Sequence, residues 1–196
     1  LGDVYKRQPQ DDYRQPSEEN KTMYMFWNDS NTNAWTHFQK IDNSSLEVYS
    51  EEVDNGLIDI DLRFGMEPTL AKRIYMDPDG LFRGSFNIYV EGDWTNDNEQ
   101  NTACGQNDCE ELNITLYAGP NLIGEHHETG LVVGDNTVTF NLVIEEDTII
   151  DWNSDQYNPE VRVKMKLRGN RQTTNFGLTQ QGEPAKFEMS MGEQSY

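Results

Sequence analysis

Residues 57–64, LIDIDLRF, are the clearest indication of the fold class, because apolar and polar side chains alternate from Ile58 to Phe64. Every second residue is Ile, Leu or Phe, and the residues between them are Asp or Arg. Successive side chains of a strand point to opposite faces, so this period of two predicts a strand with one buried and one solvated face. Strands of this kind are typical of antiparallel sheets.

The same alternation recurs in four further stretches, and turn-forming Gly, Pro, Asn and Asp residues separate them. No stretch shows sustained helical periodicity. Many short one-sided strands predict an all-β chain folded as an antiparallel β-sandwich, jelly-roll-like, with about eight to ten strands. The four further stretches are 82–90, 112–117, 137–144 and 161–168.

The chain divides unevenly. Residues 1–8 contain DVYKRQ, which resembles the in-frame translation of a sequencing-library adapter, and we expect them to lie outside the natural protein. Residues 9–20 are polar, contain two prolines and predict a linker. Residues 21–191 are expected to form a single β-sandwich domain, and 192–196 a polar tail.

The charge balance excludes several partners. The 35 acidic residues outnumber the 15 basic ones, so the formal net charge is -20. Nucleic acids and anionic lipids attract clustered Lys and Arg, so neither is an expected partner. No apolar run approaches the roughly eighteen residues that a transmembrane helix needs, so no transmembrane segment is expected within these residues.

The two cysteines, Cys104 and Cys109, lie in a polar insertion between two predicted strands. A C-x4-C pair alone supplies too few ligands for a tetrahedral zinc site, and the redox CxxC spacing is absent. We therefore expect a disulfide that closes the loop. A disulfide indicates an oxidising, exported setting, and hence an extracellular or cell-surface location.

Four cations occupy one face of the predicted strand 161–168, in a chain dominated by acids. One interpretation pairs them with acids of neighbouring strands, for which Asp59, Asp61, Glu145 and Glu146 are candidates. The other interpretation is a surface that binds an anionic partner such as an acidic or sulfated glycan. We call these residues the basic stripe: Arg162, Lys164, Lys166 and Arg168.

Aromatic residues near strand ends suggest a second way to bind sugars, because exposed rings can stack on a pyranose. Trp94 and Trp152, with Tyr117 and Tyr157, are the candidates. The two tryptophans could equally close the ends of the core.

Acidic loops provide the oxygen ligands that calcium prefers. The candidate residues match no EF-hand spacing, so only a structural calcium ion is considered as a cofactor. The EHHE segment at 125–128 alternates faces, which splits it into two His–Glu pairs that cannot supply three metal ligands together. The calcium candidates are Asp77, Asp79, Asp93 and Asp97.

Four Asn-x-Ser/Thr sequons mark potential sites of N-glycosylation. The sequon NIT at 113–115 falls on a predicted strand, with its Asn on the outward face. The four acceptors are Asn20, Asn28, Asn43 and Asn113.

Several segments recur together: MYMFW at 23–27, AWT at 34–36 and three later strands. The later strands are ELNITLYAGPNLIGE, GDNTVTFNLVIEEDTI and NPEVRVKMKLRG, followed by a closing KFEMSM. Together these segments resemble the β-sandwich domains of acidic exported surface proteins of marine planktonic archaea. The resemblance implies a secreted or cell-surface domain without an assigned activity.

No motif for catalysis is present: the GxSxG, HExxH and P-loop patterns are all missing. The sequence therefore favours a non-catalytic structural or adhesion module, whose partner would be another surface protein. The alternative is a carbohydrate-binding module that uses the exposed aromatic residues or the basic stripe. A free stripe would favour glycan binding, whereas a stripe neutralised by acids would favour the structural module.

Overall fold

The structure is a computed structural model in which most described residues form strands and none forms an α-helix. The described residues are 21–28, 32–36, 48–66, 74–75, 81–95, 104, 108–143, 149–150, 158–173, 180–192 and 195–196. In chain order the strands are β1 Tyr24–Asn28, β2 Thr32–Thr36, β3 Val48–Val53, β4 Asn55–Met66, β5 Ile74–Tyr75, β6 Leu81–Glu91, β7 Glu110–Ala118, β8 Asn121–Glu128, β9 Gly134–Val143, β10 Ile149–Ile150, β11 Pro159–Asn170, β12 Gln172–Thr173, β13 Gln180–Gln181 and β14 Ala185–Ser190.

Ten of these strands build two sheets. The six-stranded sheet has the order β1-β2-β4-β11-β7-β8, and the four-stranded sheet has the order β3-β14-β6-β9. Neighbouring strands are antiparallel except for a short parallel contact between β2 and β4. Strands β5 and β10 form a separate pair, as do β12 and β13.

One continuous core fills the space between the two sheets. Each long strand directs alternate apolar side chains inward, so β4 buries every second residue from Ile58 to Met66. The largest fully buried side chains in this core are four phenylalanines. They are Phe64 from the six-stranded sheet and Phe86, Phe140 and Phe187 from the four-stranded sheet.

The edges of the two sheets meet on both sides of the core. On one side the rings of Trp27 in β1 and Tyr49 in β3 contact each other edge to face, with centroids 4.8 Å apart. On the other side β8 approaches β9 so closely that a Cβ on Gly124 would lie 3.3 Å from the Val143 carbonyl oxygen. Side-chain packing and close backbone contact therefore join the two layers.

These observations confirm the predicted all-β antiparallel sandwich; the jelly-roll assignment stays a prediction. Within the predicted polar tail, 192–196, the last two residues pair with the sheets. Tyr196 and Ser85 exchange two backbone hydrogen bonds of 2.7 and 3.0 Å, and the fully buried Ser195 accepts one from Met25 at 2.9 Å. Polar composition suggested a tail, but strand pairing here uses the backbone and not the side chains. Residues 1–8 and 9–20 lie outside the described residues.

Candidate functional site

The basic stripe lies on the outer face of the six-stranded sheet, in the middle of three long strands. Strand β11 alternates buried and half-buried residues along its length, and the cations are the half-buried ones. Its neighbours are β4 and β7, and the register places Lys164 opposite Asp61 and Lys166 opposite Asp59. Acids of an adjacent strand therefore face the stripe.

Ion pairs neutralise three of the four cations. The Arg162 guanidinium lies 3.5 Å from an oxygen of Asp61 and 3.5 Å from one of Glu160. Lys166 lies 3.6 Å from Asp59 and 4.0 Å from Glu110. Arg168 forms a close ion pair with Asp108. The cross-strand partners Asp59 and Asp61, predicted from the sequence, are confirmed, whereas Glu145 and Glu146 lie outside the described residues.

Asp61 is the electrostatic centre of this face. Partial burial raises the pKa of its carboxyl, but the hydrogen bond from Arg63 and the charges of Arg162, Arg63 and Lys164 together hold the pKa below its usual value. Arg63 Nη2 donates to Asp61 over 2.8 Å. Lys164, which is in register with Asp61, thus acts on the same carboxylate as Arg162, which is in register with Arg63.

We expect the Asp61→Asn variant to lose the pH-dependent stabilisation that the Asp61 carboxylate gains from the neighbouring cations. Because the pKa of Asp61 is lowered on folding, this carboxylate stabilises the fold above the ordinary Asp pKa of about 3.9 and stops doing so as the pH falls through the lowered value. At pH 7 the free energy of unfolding of the variant should be lower than that of the wild type by at most about 1 kcal/mol, the usual size for a partly exposed ion pair.

Urea unfolding at pH 7 and again below pH 3 measures this term. The difference in the free energy of unfolding between Asp61→Asn and the wild type should be smaller at the low pH. The variant Asp135→Asn, on the four-stranded sheet, controls for a general loss of negative charge. A difference of equal size at both pH values would show that Asp61 does not act through its charge.

The aromatic candidates do not form an exposed platform in the described residues. Trp94 is 8% exposed and belongs to the core, which contradicts surface exposure and agrees with the alternative, a plug that closes the core. Tyr117 is half-buried and lies beneath Arg162, whose guanidinium carbon is 5.1 Å from the ring centroid. Its upper face is therefore occupied. Trp152 and Tyr157 lie outside the described residues.

The cysteines form the predicted disulfide, which confirms that pairing; their Cα atoms are 5.4 Å apart. Both sulfur atoms lie close to the Asp93 carbonyl oxygen, at 3.1 and 3.3 Å. Asp93 in turn exchanges two backbone hydrogen bonds with Arg168, of 2.7 and 3.0 Å. The disulfide loop is thereby joined to the end of β11 at the edge of the basic stripe.

The calcium candidates are not brought together by the described part of the chain. The Asp93 carboxylate accepts backbone N–H groups instead, from Thr95 at 3.3 Å and from Cys104 at 3.1 Å. No three metal-ligating side chains cluster among the described residues. Asp77, Asp79 and Asp97 lie outside those residues, so a structural calcium ion stays a prediction.

The histidines of β8 form two separate pairs, as the alternation predicted. His126 lies 3.7 Å from Glu128, and His127 lies 3.6 Å from Glu125. The first pair faces the same side as the buried Ile114, and the second faces outward with Thr115. Neither pair supplies three ligands, so this segment has the appearance of an ordinary sheet edge.

A polar groove on the outer face of the four-stranded sheet was not anticipated from the sequence. Its volume is about 400 Å³, and Tyr89 lies among its polar lining residues. Thr137 donates a 2.8 Å hydrogen bond to Asn87 across strands β9 and β6. Lys186 lies 5.1 Å from the centroid of the Tyr89 ring and 2.9 Å from Glu188. The sequence shows polar residues at alternate positions of β6 and β9. It does not show that these residues and those of β3 and β14 line one groove, because that depends on how the strands pair.

The structure describes two of the four sequon asparagines, Asn113 and Asn28. Asn113 lies on the outer face of β7, as predicted, between β11 and β8. Asn28 is the last residue of β1, and its side chain is not described. Asn20 and Asn43 lie outside the described residues.

Comparisons with known proteins give no family for this chain. No protein-family model matches it, and no curated protein matches it. A Stig cyclase, Fisc, from Fischerella sp. TAU is similar in structure over 69% of this chain and 58% of the cyclase chain, with 12% sequence identity and a TM-score of 0.30. No property of the cyclase is transferred at that TM-score. Within the described residues, no helix is long and apolar enough to span a membrane.

Proposed function

We propose that this chain is an exported, non-catalytic β-sandwich domain that acts as a structural or adhesion module at the cell surface. The observation that carries the proposal is the neutralised basic stripe. Three of its four cations have acidic partners within 4.0 Å, so the most distinctive charged feature of the sequence holds strands together and presents little free positive charge.

The disulfide supports an exported location, and the net charge bears on the choice of partner. The Cys104–Cys109 disulfide persists in an oxidising compartment and is rare where thiols are kept reduced. The net charge of -20 keeps the surface hydrated and discourages association with anionic surfaces. The proposed partner is another surface protein, since this charge disfavours nucleic acid.

Antibody labelling of intact source cells tests the location, and a glycan array tests the function. We expect the antibody to label cells that have not been permeabilised. On the glycan array we expect no salt-sensitive binding, that is, no binding that weakens as the salt concentration is raised. Labelling only after permeabilisation would overturn the export proposal. Salt-sensitive binding that is lost in Arg162→Ala/Lys164→Ala, but kept in the control Arg83→Ala, would overturn the structural interpretation of the stripe.

The second candidate is a carbohydrate-binding module, and the groove on the four-stranded sheet favours it. Amide, hydroxyl and carboxylate groups that line the groove can exchange hydrogen bonds with sugar hydroxyls, and the Tyr89 ring offers an apolar surface. Binding on the array that is lost in both Tyr89→Ala and Thr137→Val, but is insensitive to salt, would select this candidate. Repeating the array with EDTA separates any calcium-dependent recognition.

A further inference from the structure

The sequon Asn113-Ile114-Thr115 lies on β7, with Asn113 and Thr115 on the outer face of the six-stranded sheet. Ile114 is fully buried in the core, so the residues on either side of it point to the outer face. We propose that Asn113 is a site of N-glycosylation, with an oligosaccharide attached through the side-chain amide nitrogen. This inference rests on the proposed export of the protein, since the modification accompanies passage through a secretory membrane.

The strongest support comes from Thr115. Its side chain is 5% exposed, and its Oγ1 has no hydrogen-bond partner among the described residues. A buried strand position with no partner for a hydroxyl suits Val better than Thr, because an unpaired buried hydroxyl opposes folding. The sequon supplies the missing reason, since it requires a hydroxyl two residues after the Asn.

Asn113 lies on the outer face of β7 and is half-buried. Its Oδ1 is buried without a hydrogen-bond partner, whereas Nδ2, the atom that would carry the sugar, is not among the buried unpartnered atoms of the described residues. The neighbours in register are Lys164 on β11 and His127 on β8, whose side chain is 58% exposed. Among the described residues, the register partners of Asn113 on both neighbouring strands are therefore polar.

The transfer balances with a donor of one chemical class, a lipid-linked oligosaccharide carrying a phosphate or diphosphate at its anomeric carbon. Asn113 Nδ2 attacks that anomeric carbon and forms a carbon–nitrogen bond. The bond between the anomeric carbon and the phosphate oxygen breaks, and the lipid phosphate leaves with the bonding electrons. Nδ2 gives up one of its two hydrogens as a proton, which the phosphate or solvent accepts. No electrons are exchanged with an oxidant or reductant.

The test is expression of the full chain behind a secretion leader in a eukaryotic host, followed by peptide mass spectrometry of the segment that contains Asn113. Four proteins are compared: wild type, Asn113→Gln, Thr115→Ser and Thr115→Val. We expect a glycan on Asn113 in the wild type and in Thr115→Ser, which keeps the sequon. Asn113→Gln and Thr115→Val should both lose it entirely.

Melting temperatures of protein secreted while N-glycosylation is blocked separate a modification signal from a structural hydroxyl, because every variant then keeps an unmodified Asn113. If Thr115 serves the sequon, unglycosylated Thr115→Val should melt no lower than the unglycosylated wild type. An unmodified Asn113 in secreted, disulfide-bonded protein would overturn the proposal, and so would a Thr115→Val melting temperature lower by about 4 °C or more. Neither result depends on antibody labelling of intact source cells, so failure of this inference is distinguishable from failure of the proposed export.

Discussion

Gly169→Ala should lower the free energy of unfolding by about 3 kcal/mol, because the position has no room for a side chain. A Cβ on Gly169 would lie 2.5 Å from the Ala185 backbone nitrogen and 2.8 Å from the carbonyl oxygens of Val53 and Asp54. These are backbone atoms at the ends of β14 and β3, so no rotamer change can relieve the clash. The strand ends would have to separate, and the core beneath them would be exposed.

Gly65→Ala is the matched control, because Gly65 lies on β4, which pairs with the same strand β11. The nearest atom to a Cβ there is Asn158 Nδ2 at 3.9 Å, an ordinary contact. The free energy of unfolding of this variant should lie within about 0.5 kcal/mol of the wild-type value. It could be slightly higher, because Ala reduces the conformational entropy of the unfolded chain. Urea denaturation of both variants measures the contrast, and equal effects would show that backbone crowding at Gly169 is not what limits this position.

The long strands could be predicted because each encodes its own buried face. In β4 and β11 the period of two extends over most of the strand, and the structure adds only a residue or two at each end. Their pairing could also be anticipated, since Asp59 and Asp61 have the charge that compensates the stripe. Electrostatic complementarity therefore left two candidate neighbours, the strand that contains Asp59 and Asp61 and the segment that contains Glu145 and Glu146, and the structure places the first of them, β4, beside β11.

Features that depend on tertiary contacts could not be predicted from local pattern. Trp94 follows a strand end in a polar stretch, and only the closure of the sandwich shows that it is buried. Ser195 contacts both sheets through its backbone, which leaves no trace in side-chain hydrophobicity. The groove around Tyr89 likewise arises from four strands that are distant in the sequence.

Removal of the disulfide should lower the free energy of unfolding by about 2 kcal/mol. The ring that it closes is short, so the chain-entropy model gives a gain of about that size. In the double variant Cys104→Ala/Cys109→Ala, the loop would also lose its fixed contact with Asp93, whose carboxylate accepts the Cys104 N–H at 3.1 Å. Asp108, which pairs with Arg168, lies in the same loop, so the end of β11 should loosen first.

Urea unfolding with and without a thiol reductant measures this effect. The reductant should shift the wild type to the stability of the double variant and should leave the double variant unchanged. Lys186→Ala serves as the comparison, since its pair with Glu188 lies on the other sheet and away from the loop. If reduction left the wild type unaltered, the disulfide would contribute nothing to the stability of the fold, and the proposed oxidising location would lose its main support. A loss of about 2 kcal/mol would instead mean that the native stability of the loop depends on export to a compartment where the bond can form.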